Sequence, residues 1–248
     1  MKKTFLTLAA VFLMLSTASA QTDLRILNHL SVGAEIGTMG WGVDVAMPVT
    51  PYVDVQAGFS MVPKISYNTK IDMNHDFPVG FHSNPVKGTA LMKNGKLLVS
   101  VMPAPHVTSF HITAGLYIGS NDPVGMVDRE AMPLEIYQHN LANPDDQRGL
   151  ALGDYLLRPD VNGHIDATLK VNKVKPYLGI GIGRAVPHKR IGFKADLGCI
   201  FWGKPVIWNN GEEVFDTDAG GDDGGVMKIL TKFRVYPVLN FRLCGRIF

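Results

Sequence analysis

Cysteine is nearly absent: Cys199 and Cys244 are the only two in the chain, too few for a disulfide framework to stand in for a hydrophobic core. They could pair in an oxidising compartment, although two small side chains, buried or facing lipid, is the preferred reading. An excess of charge is also missing. The 24 Lys and Arg stand against 22 Asp and Glu, which gives no reason to expect nucleic acid as a partner. Long apolar runs are missing beyond the first residues, and this excludes a helical membrane protein, whose spans need about 20 consecutive apolar residues. No catalytic motif stands out, and no cofactor is expected.

What is present points elsewhere. The chain opens with MKKTFLTLAAVFLMLSTASA, in which two lysines precede an apolar stretch from Phe5 to Leu15 and an Ala18-Ser19-Ala20 cleavage signature. This reads as a signal peptide over 1–20, leaving 21–248 as the mature domain. No Cys follows the cleavage point, so a lipid-anchored form is not expected. The far end, VLNFRLCGRIF, alternates Leu239, Phe241, Leu243 and Ile247 with Asn240, Arg242 and Arg246. That is a two-faced strand running to the last residue, Phe248.

The same period of two recurs through the chain. Leu30, Val32, Ala34 and Ile36 alternate with Ser31, Gly33, Glu35 and Gly37, and equivalent patterns run over 41–47, 53–61, 110–118, 164–172, 178–183 and 193–201. The run Lys96 to Met102 is apolar on both sides and reads as a strand with one face against a loop. Short turn signals separate these runs, among them Gly37-Thr38-Met39-Gly40 and Pro103-Ala104-Pro105. A string of two-faced hairpins packs either as a sandwich, greasy sides together, or as a closed barrel with its greasy side toward lipid. Residues opposite the apolar ones are mostly Gly, Ser, Thr and Asp, which suit a narrow lumen better than a solvated sandwich face. Trp41, Phe59, Phe110, Phe193, Phe201, Trp202 and Phe241 fall near strand ends, as in an interfacial girdle. The fold class expected is therefore all-β, an antiparallel transmembrane β-barrel.

With these stretches, NHLSVGAEIGTMGWGVDVAMPVTPYVDVQAGF, SFHITAGLYIG, PYLGIGIGRAVPHKRIGFKADLGCIFWGKP and YPVLNFRLCGRIF, the chain resembles the small outer-membrane β-barrel proteins of Bacteroidetes and related Gram-negative bacteria. The resemblance spans most of the mature chain and rests on structural motifs, none of them catalytic. It implies the outer membrane as location, with lipid and lipopolysaccharide as surroundings, and a monomer. It also implies a C-terminal signal, Phe241, Leu243, Ile247 and Phe248, for the barrel-assembly machinery; Arg246 departs from the pattern, since many members are aromatic or apolar there.

About nine strands can be counted, whereas single-chain bacterial barrels have an even number. The segment VMKILTKFRV fits a helical stripe through Val226, Ile229, Leu230 and Phe233, so a short amphipathic helix is expected before the last strand. Eight strands remain, or ten if another boundary is misread. The segments 67–85 and 121–163 read as long polar loops, the places where a partner would bind.

Alternation places Glu35, Asp44, Asp54, Asp166 and Asp196 on the inward side with Lys170, Lys194, Arg242 and Arg246. Opposite charges confined in a narrow barrel pair with one another, because an unpaired buried charge costs several kcal/mol. The lumen is thus expected to be plugged, with a structural or surface-interaction role for the protein and no catalysis. A narrow passive channel is the alternative. A lipid-modifying enzyme using His106, Ser109 and His111 is a weaker one, since nothing marks an orienting third partner. A soluble periplasmic sandwich is the fourth. The acidic loop GEEVFDTDAGGDDGG lacks the register of a calcium loop and reads as solvated; no metal site is expected.

Overall fold

The computed structural model describes residues 29–75, 78–152, 155–214 and 234–247. The predicted signal peptide, Phe248, most of the acidic loop, and the segment 226–233 that was read as helical lie outside the described residues.

The first five strands follow the alternation closely: β1 (Ser31–Gly37), β2 (Gly40–Thr50), β3 (Val53–Asp72), β4 (Ser83–Val101) and β5 (Phe110–Gly119). The tight β1–β2 turn needs Gly40, whose φ of 80° lies in the left-handed region that side chains disfavour. Next come β6 (Val124–Asp128), helix α1 (Leu134–Ala142), β7 (Leu150–Leu152), β8 (Tyr155–Leu157) and β9 (Asp166–Lys170). The chain continues with β10 (Val174–Gly183), β11 (Ile191–Phe201), β12 (Val206–Asn209), β13 (Glu212–Val214) and β14 (Val235–Arg246).

Eight of these strands close on themselves. Pairing runs from β1 through β2, β3, β4, β5, β10, β11 and β14, and β14 returns to β1 with Ser31 opposite Arg246 and Gly37 opposite Asn240. Every pairing is antiparallel, so no hydrogen-bonding edge is left in the ring. Outward side chains are apolar and uncovered: Val43 is 51% exposed, Leu197 58% and Leu243 60%. Trp41, Phe59, Phe193, Phe201 and Phe241 face outward with them. A continuous apolar wall of this extent is rare on soluble monomers and suits hydrocarbon. Trp202 departs from the expected girdle, being buried and packed 5.1 Å from Tyr236.

Of the nine predicted strands, the one over 164–172 is the misassigned one. β9 does not enter the barrel; it pairs with β6 and β12 in a lobe beyond one end. β3, at 20 residues, spans about 65 Å at the usual rise per residue, far more than a membrane strand requires, and its upper half with that of β4 projects past the ring. The ladder shifts between Val62 and Ile65, where the two strands leave the barrel. β6, β9, β12 and β13 extend the sheet from β4. A separate core of Ile71, Val86, Ile136, Leu150, Leu157, Ile165, Leu169 and Ile207 lies beneath them. The segments expected to be loops, 67–85 and 121–163, are largely this lobe. Leu169, expected to face lipid, is 3% exposed because it packs in that core.

Both described chain ends lie at the opposite end of the ring, with the turns 51–52, 102–109 and 184–190. Single-chain bacterial barrels keep short turns on the periplasmic side and long segments outside.

Candidate functional site in the barrel lumen

Inward positions on successive strands put charged side chains within reach of one another. From β14, Arg242 is fully buried, with Nε 2.7 Å and Nη2 2.5 Å from Asp44 Oδ1 on β2. The other oxygen of Asp44 accepts from Gln56 Nε2 at 2.9 Å and from Lys96 Nζ at 3.1 Å. Lys96 also pairs with Glu35 of β1, whose Oε2 accepts from Asn240 Nδ2 at 2.6 Å. Across the lumen, Lys194 Nζ lies 3.1 Å from Asp196 Oδ1 and 3.2 Å from Ser100 Oγ. Asp196 in turn meets His111 Nε2 at 2.7 Å, while His111 Nδ1 faces the Gly183 carbonyl at 3.0 Å.

Three cations, Lys96, Lys194 and Arg242, therefore face three carboxylates, Glu35, Asp44 and Asp196, in a space with almost no solvent exposure. Each charge is paired and hydrogen-bonded, the condition under which burial of ions is tolerated. Glycines make room for the long side chains. A Cβ at Gly33 would collide with the Arg242 guanidinium, and one at Gly181 would collide with the His111 ring.

The predicted set is thus divided. Glu35, Asp44, Lys194, Asp196 and Arg242 meet in one network, and Asp54 lies nearer the mouth. Asp166 and Lys170 lie apart because β9 belongs to the lobe: Asp166 is exposed and the Lys170 ammonium sits 3.5 Å over the Trp208 ring. Arg246 stands at the rim. Lys96, which bridges two carboxylates, was missed because its strand read as apolar on both sides; Lys96, Leu98, Ser100 and Met102 share the inward parity that would have found it. His111 contacts Ser109 through the backbone carbonyl, at 3.4 Å, and His106 lies exposed in the turn before β5. The two cysteines face opposite ways, Cys199 on the outward parity of β11 and Cys244 buried on β14; both are free. Phe241, Leu243 and Ile247 are exposed along the outer face.

The network is closed above and below. Toward the lobe, Leu98, Tyr117, Tyr177, Ile200, Trp202 and Val238 fill the interior, with Tyr117 and Tyr177 edge to face at 5.6 Å. Toward the termini, the β10–β11 turn folds inward. Its Ala185 carbonyl accepts from Ser31 Oγ at 2.6 Å and from Arg242 Nη1 at 2.7 Å. Ala185 and Val186 pack on Ala46, and their backbone N–H groups donate to Asp54.

A closed antiparallel eight-stranded β-barrel, apolar without and charge-paired within, is the class that the fold and lumen define. The chain is similar to two solved structures of Acinetobacter baumannii proteins. Against CarO2 the TM-score is 0.51 at 18% identity, covering 89% of this chain and 99% of that one. Against CarO it is 0.50 at 16%, covering 90% and 99%. At such identities the likeness is one of fold. No family model matches the chain, and no curated protein does.

Proposed function

We propose that this is an integral outer-membrane protein, exported by the signal peptide read over 1–20 and, as the resemblance to Bacteroidetes barrels implies, placed by the barrel-assembly machinery. Lipid and lipopolysaccharide surround it as a monomer. Its role is structural or surface-interacting: a non-conducting, non-enzymatic barrel that holds a folded lobe clear of the membrane. The observation that carries this reading is the filled lumen, where paired charges lie between an apolar layer and an inserted turn. An eight-stranded barrel is about filled by its own side chains, and here they are tied together by hydrogen bonds at both levels. The lobe supports the surface role, since it presents a folded unit with its own core beyond one end of the barrel.

Purified full-length protein in planar bilayers tests the reading. The expected trace is silent across the voltage range the bilayer tolerates. Discrete conductance steps that are absent from protein-free detergent controls would establish the narrow-channel alternative instead.

A further inference from the structure

At the mouth near the chain termini, outside the inserted turn, lies a cavity of about 330 Å³, the lower end of the range for small-ligand sites. Its charged and titratable lining is Arg184, Arg246, His29, His106 and His188, with Asp54 the one carboxylate. Asp54 is committed to the backbone N–H groups of Ala185 and Val186, so it faces inward in its bonding. Arg184 donates to the Pro105 carbonyl, which holds its planar fork in place. Pro48, Pro51, Pro105 and Pro187 form much of the wall; their fixed φ angles make it stiff. Two guanidinia with fork geometry and three imidazoles thus line a preformed hollow whose one carboxylate, Asp54, already feels the charge of Arg184.

We propose that this vestibule binds an anionic group, phosphate or carboxylate, presented on the side of the membrane where the chain termini lie. Arginine forks recognise such groups in a bidentate manner. The site also carries a proton sensitivity. His188 is held below its ordinary value, chiefly by the positive charge of Arg184 and further by burial, Arg246 and His106. A bound anion offsets that repulsion and draws a proton onto the ring, so binding tightens as pH falls. This inference is independent of the surface role of the lobe.

Sulfate, whose charge does not change near neutrality, is the probe. Calorimetric titration of the full chain in dodecyl maltoside is expected to show saturable one-site binding. Loss of a charged hydrogen-bonding partner in Arg246→Gln weakens it about tenfold or more. Binding is tighter at about pH 6 than at about pH 8, and His188→Gln, which leaves His29 and His106 in the lining, narrows that difference. His188 lies exposed in the turn, so this second variant reads the site even where Arg246→Gln fails to assemble. Competition identifies the source: displacement by phosphatidylglycerol in mixed micelles marks a lipid headgroup, by inorganic phosphate a free anion, by acetate a carboxylate. Absence of saturable binding, affinities unchanged in both variants, or sulfate that none of these displaces would overturn the proposal.

Discussion

The Arg242 guanidinium lies directly over Gly33 of the neighbouring strand, where any Cβ would intrude on it. The glycine and the arginine are therefore one feature: the lumen is wide enough for a buried fork only where the facing strand has no side chain. Gly33→Ala should displace Arg242 from Asp44 and Ala185 and destabilise the barrel by about 1–3 kcal/mol, the usual cost of overpacking. Gly95→Ala is the control, since its Cβ would meet nothing nearer than the Ile118 carbonyl at 3.7 Å, and a change within about 0.5 kcal/mol is expected. Urea unfolding in detergent, followed by tryptophan fluorescence, measures both.

Charge pairing in the lumen makes a second expectation. Arg242→Gln alone leaves Asp44 with Lys96 as its one cation among the described residues, and breaking a buried pair from one side costs about 3–5 kcal/mol. Adding Asp44→Asn removes the stranded charge. The double variant should therefore be destabilised by clearly less than the sum of the singles, a coupling that a double-mutant cycle reads directly. Additive losses would mean that the two residues do not act as a pair.

Much of the ring was legible in the alternation because a barrel wall has one simple rule, apolar out and small or charged in. β1, β2, β5, β10, β11 and β14 keep its outward half along their lengths, while inward Tyr117, Tyr177, Ile200 and Val238 depart from it to form the apolar layer. The rule fails to separate β9, because Ile165, Ala167 and Leu169 alternate in the same way when the covering medium is a protein core. Period two says that one face is covered and is silent on what covers it. The rest of the lobe is less legible for a related reason: β6, β7 and β8 are three to five residues long, too short for periodicity to register. The inserted turn was beyond reach for a different one, since its closure of the lumen depends on the Ala185 carbonyl, a group every residue carries.

The lobe should respond to pH through His164. Its Nδ1 donates to the buried Asp128 carboxylate at 2.8 Å, and that hydrogen bond, with the attendant charge, holds the imidazole above its ordinary value of 6.5. A raised histidine binds its proton more tightly folded than unfolded, so the stabilisation is full below about 6.5 and is lost as pH rises through the folded value. Hydrogen exchange in β6 and β9, corrected for intrinsic rates, should be slower at acidic than at alkaline pH. His164→Gln should flatten that dependence while leaving exchange in the barrel strands as it was.

Separate cores in the lobe and the barrel imply separate stabilities. Ile136 is the buried residue of α1, fully enclosed by the lobe core and remote from the lumen. Its replacement by alanine removes most of a buried side chain, a change that costs about 2–5 kcal/mol where the site cannot collapse. The helix has no side-chain cap at its N-terminus and few other buried contacts, so the loss should release it locally. Limited proteolysis is expected to cleave the variant within 129–149 at protease levels that spare the wild type. The barrel should keep its shifted mobility on unheated gels, because its ladder closes through six strands outside the lobe and the parts of β3 and β4 below the Val62–Ile65 shift. Cleavage accompanied by loss of that mobility would show instead that the lobe and the ring unfold as one unit.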